Sequence, residues 1–208
     1  TPWAGWRPIR TSGIAKGLTP ARIASILQQA EDGYPAQMCE LLEEIEDRDP
    51  HLVAVLSTRK RAVANLAWEI RPPKGDGRRQ ARKVAEFCSA RMGEIDNLES
   101  GFLDLLDAIS KGYAIVELDW YNNTTQAAVH SMKYRPQRWF RPDENDPEVW
   151  RVLDAQEPVL GKPLVPYRFA VHVARAKSGF PVKAGLGRVL LWWYLFKKLG
   201  VPLRYLIV

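Results

Sequence analysis

Two carboxylates with strand spacing are the strongest catalytic candidates in this chain of 208 residues. Glu117 and Asp119 are separated by a single residue, so on a β-strand their side chains point to the same face. Two carboxylates on one face could share a divalent metal ion, as a two-metal nuclease requires. Such a site needs further ligands. His130 and Lys133, on the next predicted strand, could supply them only in a favourable register.

The alternative is that this segment is a structural strand with one face in solvent, which is the more ordinary arrangement in an antiparallel sheet. We predict that its alternating residues divide between the two faces. The predicted solvent face carries Ile115, Glu117, Asp119 and Tyr121, and the predicted core face carries Ala114, Val116, Leu118 and Trp120.

Other residue types with catalytic potential occur singly. His172 could act as a base or contact a phosphate, although a polar residue near a strand end is the more ordinary explanation. No serine or cysteine has a histidine partner at a spacing that indicates a nucleophile. The pairs Gly13/Gly17 and Gly185/Gly187 lack the preceding strand and the Lys-Ser signature of a phosphate loop. The sequence therefore predicts that the protein is not an enzyme.

The cysteines and histidines favour no metal or cofactor site. Cys39 and Cys88 fall in two helical patterns, a CxxC pair is absent, and the three histidines are scattered. We therefore predict two buried, reduced thiols, as suits a reducing cytoplasm, and neither a metal nor a cofactor. A membrane span is not expected, because no run of apolar residues approaches the required length.

The charges are segregated along the chain, whose formal net charge is +6. Residues 31–50 contain eight acidic residues and one arginine, whereas the sequence after Glu157 contains nine basic residues and no acidic one. The two blocks could pair between copies of the chain, the basic block could contact phosphate, or both could be solvated faces. The candidate contacts to DNA or to another subunit are Arg175, Lys177, Lys183, Arg188, Lys197 and Lys198.

Cap residues and helical periodicity predict five helices in the first half. Thr19 and Asp49 are suited to cap the first and the third, since each precedes a proline that would occupy the first helical position. Apolar residues recur at helical spacing in all five. In the fourth, Ala81, Val84, Ala85, Cys88 and Met92 are predicted to face inward. The predicted helices cover residues 20–31, 35–47, 50–67, 78–92 and 97–111, and a short strand is predicted over residues 68–71.

The second half is rich in β-branched and aromatic residues, which favours strands. Gly161 and Lys162 are predicted to form a hairpin turn between the strands at residues 149–154 and 167–173. Leu190–Lys198 is predicted to be a helix whose surface is apolar nearly all round. Alternating aromatic and basic residues could suit stacking on single-stranded nucleic acid, although packing of one strand face is favoured. The predicted strands cover residues 113–121, 127–134, 138–141, 149–154 and 167–173.

The sequence thus predicts the α+β class: N-terminal helices followed by a small, mostly antiparallel sheet and a C-terminal apolar helix. We expect an N-terminal arm over residues 1–18, a mainly helical region over 19–112 and a mainly β region over 113–208. Together these regions are expected to form one continuous domain.

An ordered series of short motifs resembles the Mu-like phage portal proteins. Its most specific part is residues 39–70, where an acidic helix, the Asp49-Pro50 hinge and a basic helix lead to Trp68. The common order and spacing of the pieces make the resemblance specific. The matching pieces are Leu18–Arg22, Asp49–Trp68, Leu105–Ile109, Lys111–Tyr113, Glu117, Trp120, Arg135–Arg138, Phe140, Gly161–Leu164, Phe169–His172, Lys177–Gly179, Gly185–Leu186 and Trp192–Lys197.

The resemblance implies a ring, typically of twelve subunits, at the vertex of a phage capsid. Such a ring would dock the large subunit of the packaging terminase and join the capsid and the head–tail proteins. It would pass double-stranded DNA without reading its sequence and would perform no catalysis. The implied location is the virion, and the host cytoplasm during assembly, with this chain in the outer, wing-like region.

The series departs from the family pattern near its end. In the family, the segment like Trp192–Lys197 is followed by a further stretch and then by the helices that line the channel, whereas here Lys198 leads at once to Gly200–Pro202. We therefore expect a truncated N-terminal part that lacks the channel. The alternative function is a free-standing module that binds nucleic acid without sequence preference.

Overall fold

The computed structural model describes residues 13–73, 78–123, 126–175 and 177–200. The turn predicted at residues 74–77 and most of the predicted N-terminal arm lie outside the described residues. The helices are α1 (Pro20–Glu31), α2 (Ala36–Glu46), α3 (Pro50–Ala64), α4 (Arg78–Gly93), α5 (Leu98–Leu105), α6 (Ala108–Lys111) and α7 (Gly187–Lys198). The strands are β1 (Tyr113–Asn123), β2 (Gln126–Arg135), β3 (Phe140–Pro142), β4 (Trp150–Val152), β5 (Lys162–Pro163) and β6 (Phe169–Val173). Short 3₁₀ turns cover Gln137–Trp139 and Pro181–Ala184.

Both predicted caps are formed. The Thr19 hydroxyl accepts a hydrogen bond from the Arg22 amide at the start of α1. The Asp49 carboxylate accepts hydrogen bonds from the amides of His51 and Leu52 at the start of α3. Because these side chains satisfy amides that the helix itself leaves unpaired, they fix where each helix begins.

The strands form two antiparallel sheets, which confirms the α+β class. The first sheet has the order β2–β1–β6 and the second the order β3–β4–β5. The turn at Gly161 was predicted to lead from β4 to the strand near residue 170, and this prediction was wrong. The turn leads from β4 to β5 instead. That strand, β6, instead pairs with β1 in the first sheet.

The core lies between helices α1, α2 and α7 and one face of the first sheet. It includes the predicted apolar faces of α1 and α2, with Ile23, Met38 and Leu41 fully buried. Tyr113 at the start of β1 donates hydrogen bonds to the carbonyls of Gln137 and Phe140, which ties the two sheets together. The buried cluster also contains Leu191 and Leu195 of α7 and Ile14, Ala15 and Leu18 before α1.

Further local predictions were wrong, among them the single helix over residues 97–111, which the structure divides into α5 and α6. Residues 68–71 form no strand, and the Trp68 side chain is exposed. Val84 of α4 faces solvent, whereas Ala85 is buried. The predicted division of β1 into a solvent face and a core face is wrong at both ends of the strand. Its first residues, Tyr113, Ala114, Ile115 and Val116, are all buried, whereas Trp120 is exposed.

Candidate functional site

Two of the predicted basic contact residues are paired with one glutamate inside the chain. Lys183 Nζ lies 2.9 Å from Glu31 Oε2. Arg188, in the first turn of α7, forms a second ion pair with Glu31. Hydrogen bonds from Lys183 and Arg188 hold the pKa of Glu31 below its ordinary value. The end of α1 is thereby joined to the start of α7.

Two further basic residues are tied at the other end of α7. Lys197 Nζ lies 2.9 Å from Asp49 Oδ2, and this hydrogen bond lowers the pKa of Asp49. Lys198 Nζ donates to the carbonyl oxygen of Ala15 at 2.7 Å. Four of the six predicted contact residues therefore have acceptors within the same chain. The acidic and basic blocks of the sequence meet inside one molecule.

Arg175 and Lys177 are arranged differently. Both side chains are exposed, and both follow the end of β6. They line a cavity of about 790 Å³ together with apolar side chains that include Trp150 and Phe180. Of the six predicted residues, these two are the ones that leave their charge available to another molecule.

A buried cluster of charges joins α3, α6 and the segment after β2. Lys111 Nζ lies 2.5 Å from Asp107 Oδ2, and the Lys111 side chain is 3% exposed. Lys60 Nζ approaches the other oxygen, Asp107 Oδ1, at 2.5 Å. The amide nitrogen of Gln137 donates to Asp107 Oδ2 as well. The carboxylate of Asp107 thus compensates two cations and receives three hydrogen-bond donors.

Burial and charge act in opposite directions in this cluster. Burial alone would raise the pKa of Asp107, but the charges and hydrogen bonds of Lys111 and Lys60 outweigh it, so the pKa lies below its ordinary value. Burial would likewise lower the pKa of Lys111, and Asp107 and Glu46 raise it instead. Both groups are therefore charged at neutral pH. Sequence reasoning missed this cluster, although a lysine directly before the helix-ending Gly112 was a visible signal.

The carboxylate pair on β1 is neutralised by neighbouring cations. Arg135 Nε donates to Glu117 Oε2 at 2.8 Å, and Arg168 Nε donates to Glu117 Oε1 at 2.7 Å. Asp119 pairs with Lys133 at 2.6 Å. Across the part of the chain that the structure describes, no group of three or more His, Cys, Asp and Glu side chains is placed to hold a metal ion. Both oxygens of Glu117 are thus occupied by arginines.

The two candidate histidines are placed differently relative to that pair: His130 adjoins Ser131, which lies opposite Asp119, whereas His172 is on another strand. His172 on β6 is opposite Ala114, while Glu117 is opposite Phe169, so the two side chains point to different faces of the sheet. Partial desolvation lowers the pKa of His172. His130 on β2 pairs with Asp96 at 3.4 Å. The register therefore does not assemble the metal site considered from the sequence.

An apolar groove lies between α3 and α7. We call it the α3–α7 groove. Its volume is about 860 Å³, and its apolar lining includes Leu52, Val55, Val189 and Trp193. Val189 is 60% and Trp193 47% exposed. Exposed apolar surface of this kind is typical of a protein–protein contact.

The sequence contained a signal for this groove. The sequence predicts an apolar stripe on α3 and a nearly all-apolar surface on α7, but periodicity does not show whether a neighbouring element covers them. In the structure Leu56 is buried, whereas Val55 and Val63 of the same stripe are exposed. The stripe of α3 is therefore only partly covered by the described chain.

Comparison with known proteins decides the family. The family described as "Portal protein of Mu bacteriophage" matches residues 39–203, which reach from α2 beyond the end of α7. The chain belongs to this family. It is 31% identical over 189 residues to the Mu-like prophage FluMu protein gp29 of Haemophilus influenzae. It is 29% identical over 187 residues to the portal protein of Escherichia phage Mu.

The alignments cover this portal-family chain much more fully than its relatives. Each spans 90% of this chain but 36% of the relative. The curated relatives are thus far longer than the segment they share with it. None of the helices within the described ranges is long and apolar enough to cross a membrane.

Proposed function

We propose that this chain is a structural, non-enzymatic part of a phage portal, the ring at the capsid vertex through which double-stranded DNA enters and leaves. The observation that carries the proposal is the family match over residues 39–203. It is supported by two relatives whose names identify them as a phage portal protein and a Mu-like prophage protein. The chain corresponds to the outer, wing-like region, and its three sequence regions form one continuous domain.

The partners follow from that role. The full-length subunit assembles into a ring of about twelve copies, a value that comes from the family resemblance and fits the closed symmetry of most oligomers. The ring contacts the terminase large subunit, the capsid and the head–tail joining proteins. It resides in the virion, and its subunits assemble in the host cytoplasm. DNA passes through it without sequence readout, as phosphate contacts allow.

The α3–α7 groove suits the protein contacts of this role. Its floor is apolar, and its rim carries the Asp49–Lys197 pair. Fully buried interface centres are poor in charge, while their rims are polar. Arg175 and Lys177 suit contacts to DNA or to an acidic neighbour, because neither charge is compensated by an ion pair within the described residues.

A chimaeric portal tests the proposal. The segment of the Escherichia phage Mu portal protein that aligns with this chain is replaced by this chain, and ring formation is followed by electron microscopy. Complementation of a portal-deficient phage is scored by plaque counts. We expect rings and plaques, because the replaced segment is 29% identical to this chain and aligns with 90% of it.

A matched variant tests whether the α3–α7 groove contributes to ring formation. A second chimaera carries Trp193→Asp and Val189→Asp, which place charges on the exposed wall of the α3–α7 groove without touching the buried core. It should express as a soluble subunit but fail to form rings. A properly folded first chimaera that neither forms rings nor supports plaques would refute the proposed function.

A further inference from the structure

Within the described residues, the outer edge of β6 is open along its whole length. The strand lies at the margin of the first sheet, whose order is β2–β1–β6. Its inner edge pairs with β1 from Glu117–Phe169 to Tyr113–Val173. No second strand among the described residues pairs with its other side. An open edge presents unpaired backbone groups to any extended chain of suitable shape.

The hydrogen-bond pattern shows which groups point outward. The Ala174 amide donates to the Gly112 carbonyl, and the Leu118 amide donates to the Arg168 carbonyl. In an antiparallel pair such hydrogen-bonded positions alternate with positions whose N–H and C=O groups point away from the partner. The outward positions on β6 are therefore Phe169, Val171 and Val173. None of the three has a backbone partner on that side within the described ranges.

A concave surface with an apolar part and a charged part adjoins this edge. The cavity of about 790 Å³ is lined by Val171 and Val173 of the strand and by Trp150 and Phe180 across from it. Val171 and Val173 lie on the same face as Phe169, whose ring packs edge-on against Phe140 at 5.8 Å between ring centroids. The core face of the sheet therefore continues to the open edge and ends there in a hollow.

The charge beside the hollow selects an acidic partner. Arg175 and Lys177 stand at the carboxyl end of β6, and both line the same cavity. The acidic side chain on the opposite wall is Glu148, so the surroundings keep an excess of one positive charge. An incoming segment with acidic residues at the end that meets Arg175 and Lys177 would compensate these two cations.

We propose that the outer edge of β6 binds an extended, acidic peptide segment of a partner protein by strand addition. The backbone of the segment pairs with Phe169, Val171 and Val173. Its alternate apolar side chains enter the hollow beside Trp150, and its acidic end meets Arg175 and Lys177. Backbone pairing supplies affinity and the hollow supplies selectivity, as in other strand-addition complexes.

The test uses a defined peptide and the full chain. The probe is a fluorescein-labelled Val-Thr-Val-Thr-Val-Asp-Asp peptide, and binding is measured by fluorescence anisotropy. Two control peptides have the same length: one is N-methylated at alternate residues, which removes backbone donors, and one carries lysines in place of the aspartates. We expect saturable binding of the first peptide and at least about tenfold weaker binding of both controls.

Two variants of the protein separate pairing from packing. Val171→Pro removes an outward N–H, a substitution that an edge strand tolerates when the missing group faces away from its neighbour. It should weaken binding at least about tenfold. Val171→Thr keeps the amide and the branched shape and should bind as the unmodified chain does. Circular dichroism and urea unfolding confirm that both variants retain the fold.

Reversal of two charges tests the contact between the protein and the acidic end of the peptide. Arg175→Glu with Lys177→Glu should weaken binding at least about tenfold and flatten its dependence on salt. The matched control, Arg82→Glu with Lys83→Glu on the exposed face of α4, makes the same change of net charge and should leave binding unaltered.

Three results would overturn the proposal. They are absence of saturable binding up to millimolar peptide, equal binding of the N-methylated peptide, and equal binding by a folded Val171→Pro variant. Self-association of the unmodified chain that Val171→Pro abolishes would assign the edge to a second copy instead. The proposal does not rest on the portal role, because peptide binding is measured on this chain alone, whereas the chimaera reports ring assembly.

Discussion

At the scale of single residues, the most consequential group is Asp107, because it compensates the buried Lys111 and the partly buried Lys60. We expect Asp107→Asn to lower the free energy of unfolding by about 3–5 kcal/mol, since it leaves buried cations without a counter-charge. Urea denaturation measures the change. As a control, Asp119→Asn removes the exposed partner of Lys133 and should give no measurable change. Equal effects of the two substitutions would contradict the assigned role of burial.

The same carboxylate sets a dependence on pH. The folded-state pKa of Asp107 is depressed, so its contribution to stability is present above its unfolded pKa of about 3.9 and is lost as the pH falls through the folded value. Glu31 and Asp49 are shifted in the same direction. We expect the free energy of unfolding to decrease below about pH 4. Asp107→Asn should reduce that slope without abolishing it, which urea titrations between pH 2.5 and pH 6 would show.

The two thiols should differ in reactivity. Burial raises the pKa of Cys39 to about 12, and its sulfur lies 3.5 Å from the Tyr113 hydroxyl. Cys88 is only partly buried, which corrects the prediction of two buried thiols. We expect iodoacetamide at pH 8 to modify one thiol of the folded chain and two in urea, because the thiolate is the reactive form. Cys88→Ser should abolish the reaction of the folded chain, and persistent labelling of that variant would place Cys39 in solvent.

At the scale of elements, Gly112 sets the junction between α6 and β1. Its φ of 93° lies in the left-handed region, and an added Cβ would stand 2.6 Å from the Pro181 carbonyl oxygen. Gly112→Ala should therefore cost roughly 2–5 kcal/mol, from backbone strain together with a clash against backbone that cannot move away. Urea denaturation of the variant measures the loss.

Gly179 is the matched control for strain alone. Its φ is +105°, but an added Cβ would meet nothing within 4 Å. Gly179→Ala should cost about 1–2 kcal/mol. If both variants lose the same stability, the close approach of Pro181 to Gly112 is not significant.

The elements also show what the sequence could reveal. The starts of α1 and α3 were predictable because Thr19 and Asp49 carry the cap chemistry in their own side chains. The faces of β1 were not, because Tyr113 to Val116 are covered on both sides and lose the alternation on which a face assignment depends. The inward placement of Val84 on α4 was wrong for a related reason: periodicity defines an apolar stripe but not which part of it another element covers.

At the scale of the whole molecule, the pairing of the charge blocks was beyond the sequence. Eight acidic residues within 31–50 and nine basic residues after Glu157 were evident. Whether they meet within one chain depends on α1 and α7 being neighbours, which only the tertiary structure shows. The Glu31–Arg188 and Asp49–Lys197 ion pairs show that the two charge blocks meet within the chain. Within the described part of the basic block, Arg175 and Lys177 remain suited to an external partner.

This pairing predicts weak, shallowly salt-dependent binding to DNA. With Arg175 and Lys177 as the phosphate contacts that the described part of the C-terminal block supplies, the logarithm of the binding constant for duplex DNA should fall with the logarithm of salt at a slope of about −2. A free-standing nucleic-acid module that used all nine basic residues of the C-terminal block would give a slope several times steeper. Anisotropy titrations with a labelled duplex at several salt concentrations distinguish the two cases, and Arg175→Ala with Lys177→Ala should remove most of the dependence.

The hydrogen bond from Lys198 to the Ala15 carbonyl has a mechanical consequence. It places the first and the last described elements side by side, so tension applied between them acts directly on the seam where α1 meets α7. We expect such a load to break the contacts of the seam in order, beginning with Lys198 and reaching the Glu31–Arg188 pair later. We therefore expect the seam to open before the strands of the sheets separate.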